Sequence, residues 1–94
     1  MSITALIMIN AEPGAIAELG TQLADIDGIT EAHSVAGGDV DLVAIAKVET
    51  HDDIAKVVTE GISKLSGILN TNTLIAFRSY STQAIDAAFE GFGD

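Results

Sequence analysis

One short phrase occurs twice in this chain. Ile26-Asp27-Gly28-Ile29 closes one segment of helical apolar spacing, and Leu65-Ser66-Gly67-Ile68 closes another. Each copy reads as the end of a helix, a glycine in a left-handed cap, an apolar residue folding back on the last turn, and then a strand. In the first copy Ile29 can reach Leu23; in the second Ile68 can reach Ile62. Two strand–helix–strand halves within 94 residues leave room for one compact α+β sandwich and little else.

The whole chain, 1–94, is therefore expected to form a single domain, with a core spanning 3–79. That core is aliphatic: 48% of residues are hydrophobic, only 4% are aromatic, and there is no Trp. Domains this small often gain stability by pairing. The formal net charge is −10, with 14 acids against Lys47, Lys56, Lys64 and Arg78. A basic footprint for nucleic acid or an anionic membrane is thus missing. The absence of Cys excludes disulfides, thiolate catalysis and Cys-bound metals. No basic leader precedes the first apolar run, and no apolar run approaches ~20 residues, so a cytoplasmic location is expected.

Residues 3–10 are apolar and β-branched and stop at Glu12-Pro13-Gly14, which predicts a buried strand and a turn. Residues 15–26 place Ile16, Leu19, Leu23 and Ile26 on one stripe, a helix with Gly20 inside it. Residues 29–35 alternate, with Ile29, Glu31, His33 and Val35 facing one way. A glycine-rich acidic loop over 36–41 leads to a buried strand over 42–48. Thr50 can cap the next helix, with Asp53 reciprocating. That helix, over 52–65, carries Ile54, Val57, Val58, Gly61, Ile62 and Leu65 at helical spacing. A long strand follows over 68–79, with Leu69, Thr71, Thr73, Ile75 and Phe77 on one side. A terminal helix is expected over 82–90, with Ile85 and Phe89 on one face and Tyr80 helping to fix it.

The order β-α-β-β-α-β is the split βαβ, or ferredoxin-like, arrangement: a four-stranded antiparallel sheet with two helices on one face. Its crossovers are expected to be right-handed. The other sheet face then lacks a cover within the chain, and an exposed apolar face predicts at least a dimer.

Few residues can carry chemistry. Gly37-Gly38-Asp39-Val40-Asp41 lets a ligand approach the backbone closely, and its two carboxylates could hold an ammonium group. The same residues also make an ordinary hairpin turn. Thr71 and Thr73 share a face and could hold a carboxylate; β-propensity and cross-strand bonding explain them equally. His33 and His51 stand apart, in no metal-binding spacing. No nucleophile accompanies Asp39 and Asp41, and no hydrolase, zincin or phosphate-loop motif is present, so no catalysis, metal or cofactor is expected.

Val35-Ala36-Gly37-Gly38-Asp39-Val40-Asp41-Leu42-Val43 resembles the V-x-G-x-[YFV]-D-L loop of the Lrp/AsnC ligand-binding domain, also called the RAM domain. Ile68-Leu69-Asn70-Thr71-Asn72-Thr73 resembles the last strand of that family, and the Ala76-Phe77-Arg78-Ser79-Tyr80-Ser81 stretch is similar to its stand-alone actinobacterial members. The likeness runs from Ile3 to about Phe89. It departs from the pattern in the doubled glycine and in Val40, where an aromatic is common.

The resemblance implies a βαββαβ sandwich that dimerises through its sheets and assembles into larger rings. It implies a small effector, usually an amino acid, bound between subunits. Carried over by position, the ligand-binding residues are Gly38, Asp39 and Asp41 in the loop and Thr71 and Thr73 on the last strand. Full-length members add a helix-turn-helix that binds DNA. With its first strand at Ile3, this chain resembles the effector-sensing half by itself, acting alone or co-assembling with a full-length Lrp/AsnC paralogue. Two readings compete with it: an assembly module that has lost its ligand, favoured by the altered glycine loop, and a small enzyme of the dimeric α-β barrel type, disfavoured by the scarcity of His, Asn and aromatic groups.

Overall fold

A computed structural model describes residues 2–80. The helix expected over 82–90 lies outside the described residues. Six regular elements follow one another: β1 (Ile3–Ala11), α1 (Ile16–Ala24), β2 (Ile29–Ser34), β3 (Leu42–Val48), α2 (His51–Lys56) and β4 (Ile68–Ile75). The strands form one sheet in the order β2-β3-β1-β4, and every neighbouring pair is antiparallel. This is the ferredoxin-like α+β arrangement.

Strand periodicity decides which face is buried. Ala5, Ile7, Ile9 and Ala11 of β1 point to the same side as Leu42, Ala44 and Ala46 of β3, and all are buried. Leu19 and Leu23 of α1 close that face together with Ile54 of α2 and with Val57 and Ile62 of the turns that continue it. Each fully buried Ile or Leu contributes on the order of 1.5–3 kcal/mol. Helix α1 is entered through a tight turn, Pro13–Ala15, with proline at its start, where a missing N–H costs nothing.

The second helix begins on a full capping box. The Thr50 hydroxyl accepts the Asp53 N–H, and the Asp53 carboxylate accepts the Thr50 N–H, both at 3.2 Å. The single helix expected over 52–65 keeps its length but not one geometry: α2 passes into a widened turn, Val57–Gly61, and a tight one, Ile62–Lys64. Buried Val57 and Ile62 stand five residues apart, which the widened turn accommodates. Gly61 lies where an added Cβ would come within 2.9 Å of Ile26 Cγ2.

The two repeated phrases play equivalent structural parts. Gly28 and Gly67 have φ of 97° and 94°, but they are not the helix caps that the sequence suggests: Asp25 after α1 stays right-handed, Leu65 after the last tight turn is extended, and each glycine serves the turn that leads on to the next strand. Gly28 O accepts the Lys47 N–H of β3, and Gly67 O accepts the Glu12 N–H just past β1, both at 2.9 Å. Each glycine thereby ties its helix-to-strand turn to the other half of the chain.

Two bulges alter the expected strand faces. In β2 the register steps from Ile29↔Ala46 to Glu31↔Ile45, which makes Thr30 the extra residue. Ile29 therefore turns to the helices while Glu31 and His33 turn away, and strict alternation fails there. Opposite the bend at Asn10/Ala11, Leu69 has no partner between Ile68 and Asn70. It leaves the row of Thr71, Thr73 and Ile75 and is 64% exposed. β4 stops at Ile75, short of the expected 79, because β1 starts at Ile3; Ala76 N still reaches Thr4 O at 2.8 Å.

Among the described residues, no helix lies on the far face of the sheet. Leu6 and Met8 of β1, Val43 and Ile45 of β3 and Leu74 of β4 share it, with Leu74 45% exposed.

Candidate functional site

The loop between β2 and β3 is anchored at three points to the end of β1 and closed by one bond of its own. Asp41 N–H donates to Ile9 O, and Val35 N–H donates to Asp41 O, both at 3.0 Å. The Asp41 carboxylate accepts the Ala11 N–H at 2.9 Å. The Asn10 side-chain amide donates to the Asp39 carbonyl. Ala11 lies one residue beyond Asn10 and two beyond Ile9, the partner of the first residue of β3, so the ladder offers its N–H nothing there. The side chain of Asp41 replaces the missing strand. Between these anchors Gly37 and Gly38 take φ of 96° and 79°, a backbone that L side chains resist.

Gly38 and Asp39 are thus held at one end of the sheet, both exposed. The Asp39 carboxylate makes no hydrogen bond among the described residues, whereas one oxygen of the Asp41 carboxylate accepts a backbone N–H. The two acids are chemically unequal.

Thr71 and Thr73 pair with Ile9 and Ile7 of β1, and so face the helices. Thr71 lines a shallow hollow of about 360 Å³ with Val58, Ile62, Ser63, Leu65 and Ile68. Ile9 is the partner of both Leu42 and Thr71, so the loop and Thr71 sit at the same end of the sheet. β1 runs between them, however, and two strand spacings amount to roughly 10 Å. One chain does not bring the loop and the threonines together.

Three asparagines lie near the loop that sequence reasoning had not singled out. Asn10 and Asn70 are direct cross-strand partners, and Asn72 is two residues further along β4, opposite Met8. All three occupy the helix-free face. The available signal was compositional: Asn is disfavoured in strands, yet it occurs three times in two of them.

His33 pairs with Glu31 at 3.3 Å on the edge strand, and His51 opens α2 at the surface. Among the described residues, no group of three or more His, Asp or Glu side chains is placed to hold a metal ion. None of the described helices is long and apolar enough to cross a membrane.

Comparison with known proteins places this geometry in context. Residues 4–85 match the family model for the Lrp/AsnC ligand binding domain. The crystal structure of TTHA0845 from Thermus thermophilus is 37% identical, with a TM-score of 0.78; the match covers 84% of this chain and 98% of that one. An uncharacterized HTH-type transcriptional regulator of Pyrococcus furiosus, PF0250, is 29% identical over 77 residues, which cover 79% of this chain and 51% of the regulator. The chain therefore spans about half the length of that relative. The transcriptional regulator NMB0573 of Neisseria meningitidis, solved as a complex with L-Met, shares the fold at a TM-score of 0.72 and 11% identity, covering 85% of this chain and 54% of that one.

Proposed function

The chain belongs to the Lrp/AsnC ligand-binding family, and from that premise we propose that it is an effector-binding and oligomerisation domain for a small molecule of the amino-acid class. It needs no DNA-binding domain of its own to do this work. The observation that carries the reading is the loop anchored by Asp41. Its two glycines and the Asp39 carboxylate are exposed, and four backbone and side-chain bonds hold them rigidly. Preorganisation of that kind lowers the entropic cost of capturing a ligand.

In this reading Asp39 holds the α-ammonium, and the N–H groups beside Gly38 serve the α-carboxylate. Thr71 and Thr73 reach a ligand only through another copy. Asp41 builds the loop rather than touching the effector. The helix-free face supplies the contact for a homodimer that assembles further, because Leu6, Met8, Val43, Ile45 and Leu74 leave an apolar patch that water disfavours. The net charge of −10 opposes direct contact with DNA. A full-length paralogue joining the same assembly would supply that contact. The L-Met complex of the Neisseria regulator supports an amino acid as the class of ligand. The family's regulators support a sensor over an enzyme.

A second reading, assembly without a ligand, is favoured by one observation: one oxygen of the Asp41 carboxylate is engaged by the Ala11 N–H. A thermal-shift screen against the twenty amino acids, repeated with Asp39→Ala, separates the two. A ligand at 100 times its dissociation constant adds about 2.7 kcal/mol of stability, several degrees in a domain of this size. A selective shift that disappears in Asp39→Ala establishes the sensor. No shift with any amino acid removes that reading and leaves the assembly module.

A further inference from the structure

The middle of the helix-free face is apolar; Thr4 and Lys47 lie toward one end of it, Glu31 and His33 along its β2 edge, and three amides at the other end. There Asn10, Asn70 and Asn72 stand together: Asn10 directly opposite Asn70, and Asn72 next along the same strand. Asn10 gives one amide hydrogen to the carbonyl of Asp39, which fixes the loop above this patch and leaves the Asn10 oxygen as an acceptor. Asn70 and Asn72 are exposed, and neither side chain makes a hydrogen bond among the described residues. Strands disfavour asparagine, and a local rule broken three times at one spot marks a functional site more often than a scaffold. Any cover placed over this face must also satisfy these amides, since a buried polar group without a partner is costly.

The geometry points to a specificity patch: Asn10, Asn70 and Asn72 read the side chain of the effector and select an uncharged hydrogen-bonding group, a carboxamide above all. This inference rests on the effector-binding reading above. Elimination gives the class. An apolar side chain would leave three amides unpaired. An anionic one would be repelled by the exposed Asp39 carboxylate of the neighbouring loop. A carboxamide both donates and accepts, as the asparagines do, and pairs with them while the Asp39 loop holds the α-ammonium. A site built for hydrogen bonds rejects analogues that lack them far more strongly than an apolar pocket rejects a change in size.

Isothermal titration of the intact protein with L-glutamine, L-asparagine, L-glutamate, L-aspartate, L-leucine and L-methionine tests this, for the native chain and for Asn70→Ala and Asn72→Ala. Light scattering on the same samples reports assembly. The expected result is that glutamine or asparagine binds at least tenfold more tightly than its acid or the apolar amino acids. Each variant loses at least tenfold of that preference and keeps its assembly state. Tightest binding of leucine, methionine or an acid overturns the patch and leaves the sensor reading intact. So does unchanged selectivity in both variants. Changed assembly with unchanged selectivity makes the asparagines contacts between copies and overturns their role in selection. Binding of no amino acid at all overturns the patch and the sensor reading together.

Discussion

Replacing Asp41 by Ala tests whether this residue builds the loop. In the native chain its carboxylate accepts the Ala11 N–H at 2.9 Å, and Ala11 is only 4% exposed. The substitution removes a hydrogen bond to a charged group, worth about 1.5–3 kcal/mol, and strands a buried donor beyond the last ladder pair. The remaining loop bonds, from Asp41 N to Ile9 O and from Val35 N to Asp41 O, are made by the backbone and survive. A net loss of about 2 kcal/mol follows. For a domain of 60–100 residues each kcal/mol moves the midpoint by about 4–8 °C, so Tm falls by roughly 10 °C. Asp41→Asn keeps an acceptor oxygen without the charge and loses about half as much.

Urea titration followed by far-UV circular dichroism measures both variants, since the chain lacks Trp and has a single Tyr. Protein concentration is held fixed, because an assembling protein gains stability from concentration. Native stability in Asp41→Ala, within about 0.5 kcal/mol, refutes the bracing role. The acid would then be available to a ligand, as the resemblance alone implied.

Three further outcomes follow from the fold. Gly20→Ala raises stability by about 0.5–1 kcal/mol in the same titration, because the position lies inside α1 and the new Cβ meets only Leu42 Cδ2, at 3.9 Å. Gly67→Ala lowers it by at least ~2 kcal/mol: φ is 94°, and the added Cβ would stand 2.6 Å from that of Ala15. Leu74→Glu, placing a charge opposite Leu6 on the helix-free face, reduces the mass seen by light scattering to that of the monomer while circular dichroism stays native.

The architecture was legible because it depends on local patterns. The glycine turns at Gly28 and Gly67, the stripe Leu19–Leu23 and the Thr50–Asp53 cap each announce an element from residues a few positions apart. What could not be read depends on residues far apart. The bulge at Thr30 exists only because β3 offers Ile45 and Ala46 in sequence to Glu31 and Ile29, so a correct alternation rule gave the wrong face for Ile29. The Asp41 carboxylate meets an N–H thirty positions away. From sequence, two carboxylates two residues apart look like partners; the fold gives one to Ala11 and leaves the other at the surface. The asparagines were hidden for the same reason, since Asn10 and Asn70 become neighbours only once β1 and β4 pair.

The last consequence concerns how many chains make one pocket. Thr71 and Thr73 pair with Ile9 and Ile7 and face the helices, whereas Asn10 and the carbonyl of Asp39 meet on the opposite side. The sheet itself stands between them. A ligand the size of an amino acid cannot touch both sets in one chain, so the proposed pocket uses the loop of one copy and the threonines of another. Complementation reads this directly. Asp39→Ala and Thr71→Ala chains each bind no effector alone. When they are co-refolded, a site regains both groups wherever a Thr71→Ala chain lends its loop to an Asp39→Ala chain, so random mixing restores about a quarter of the sites. Binding stoichiometry measured by titration, with mixed assembly verified by mass spectrometry, gives the answer. If mixed assemblies form and bind no more than either parent, the threonines and the loop do not share a ligand, and the pocket belongs to the helix-free face alone.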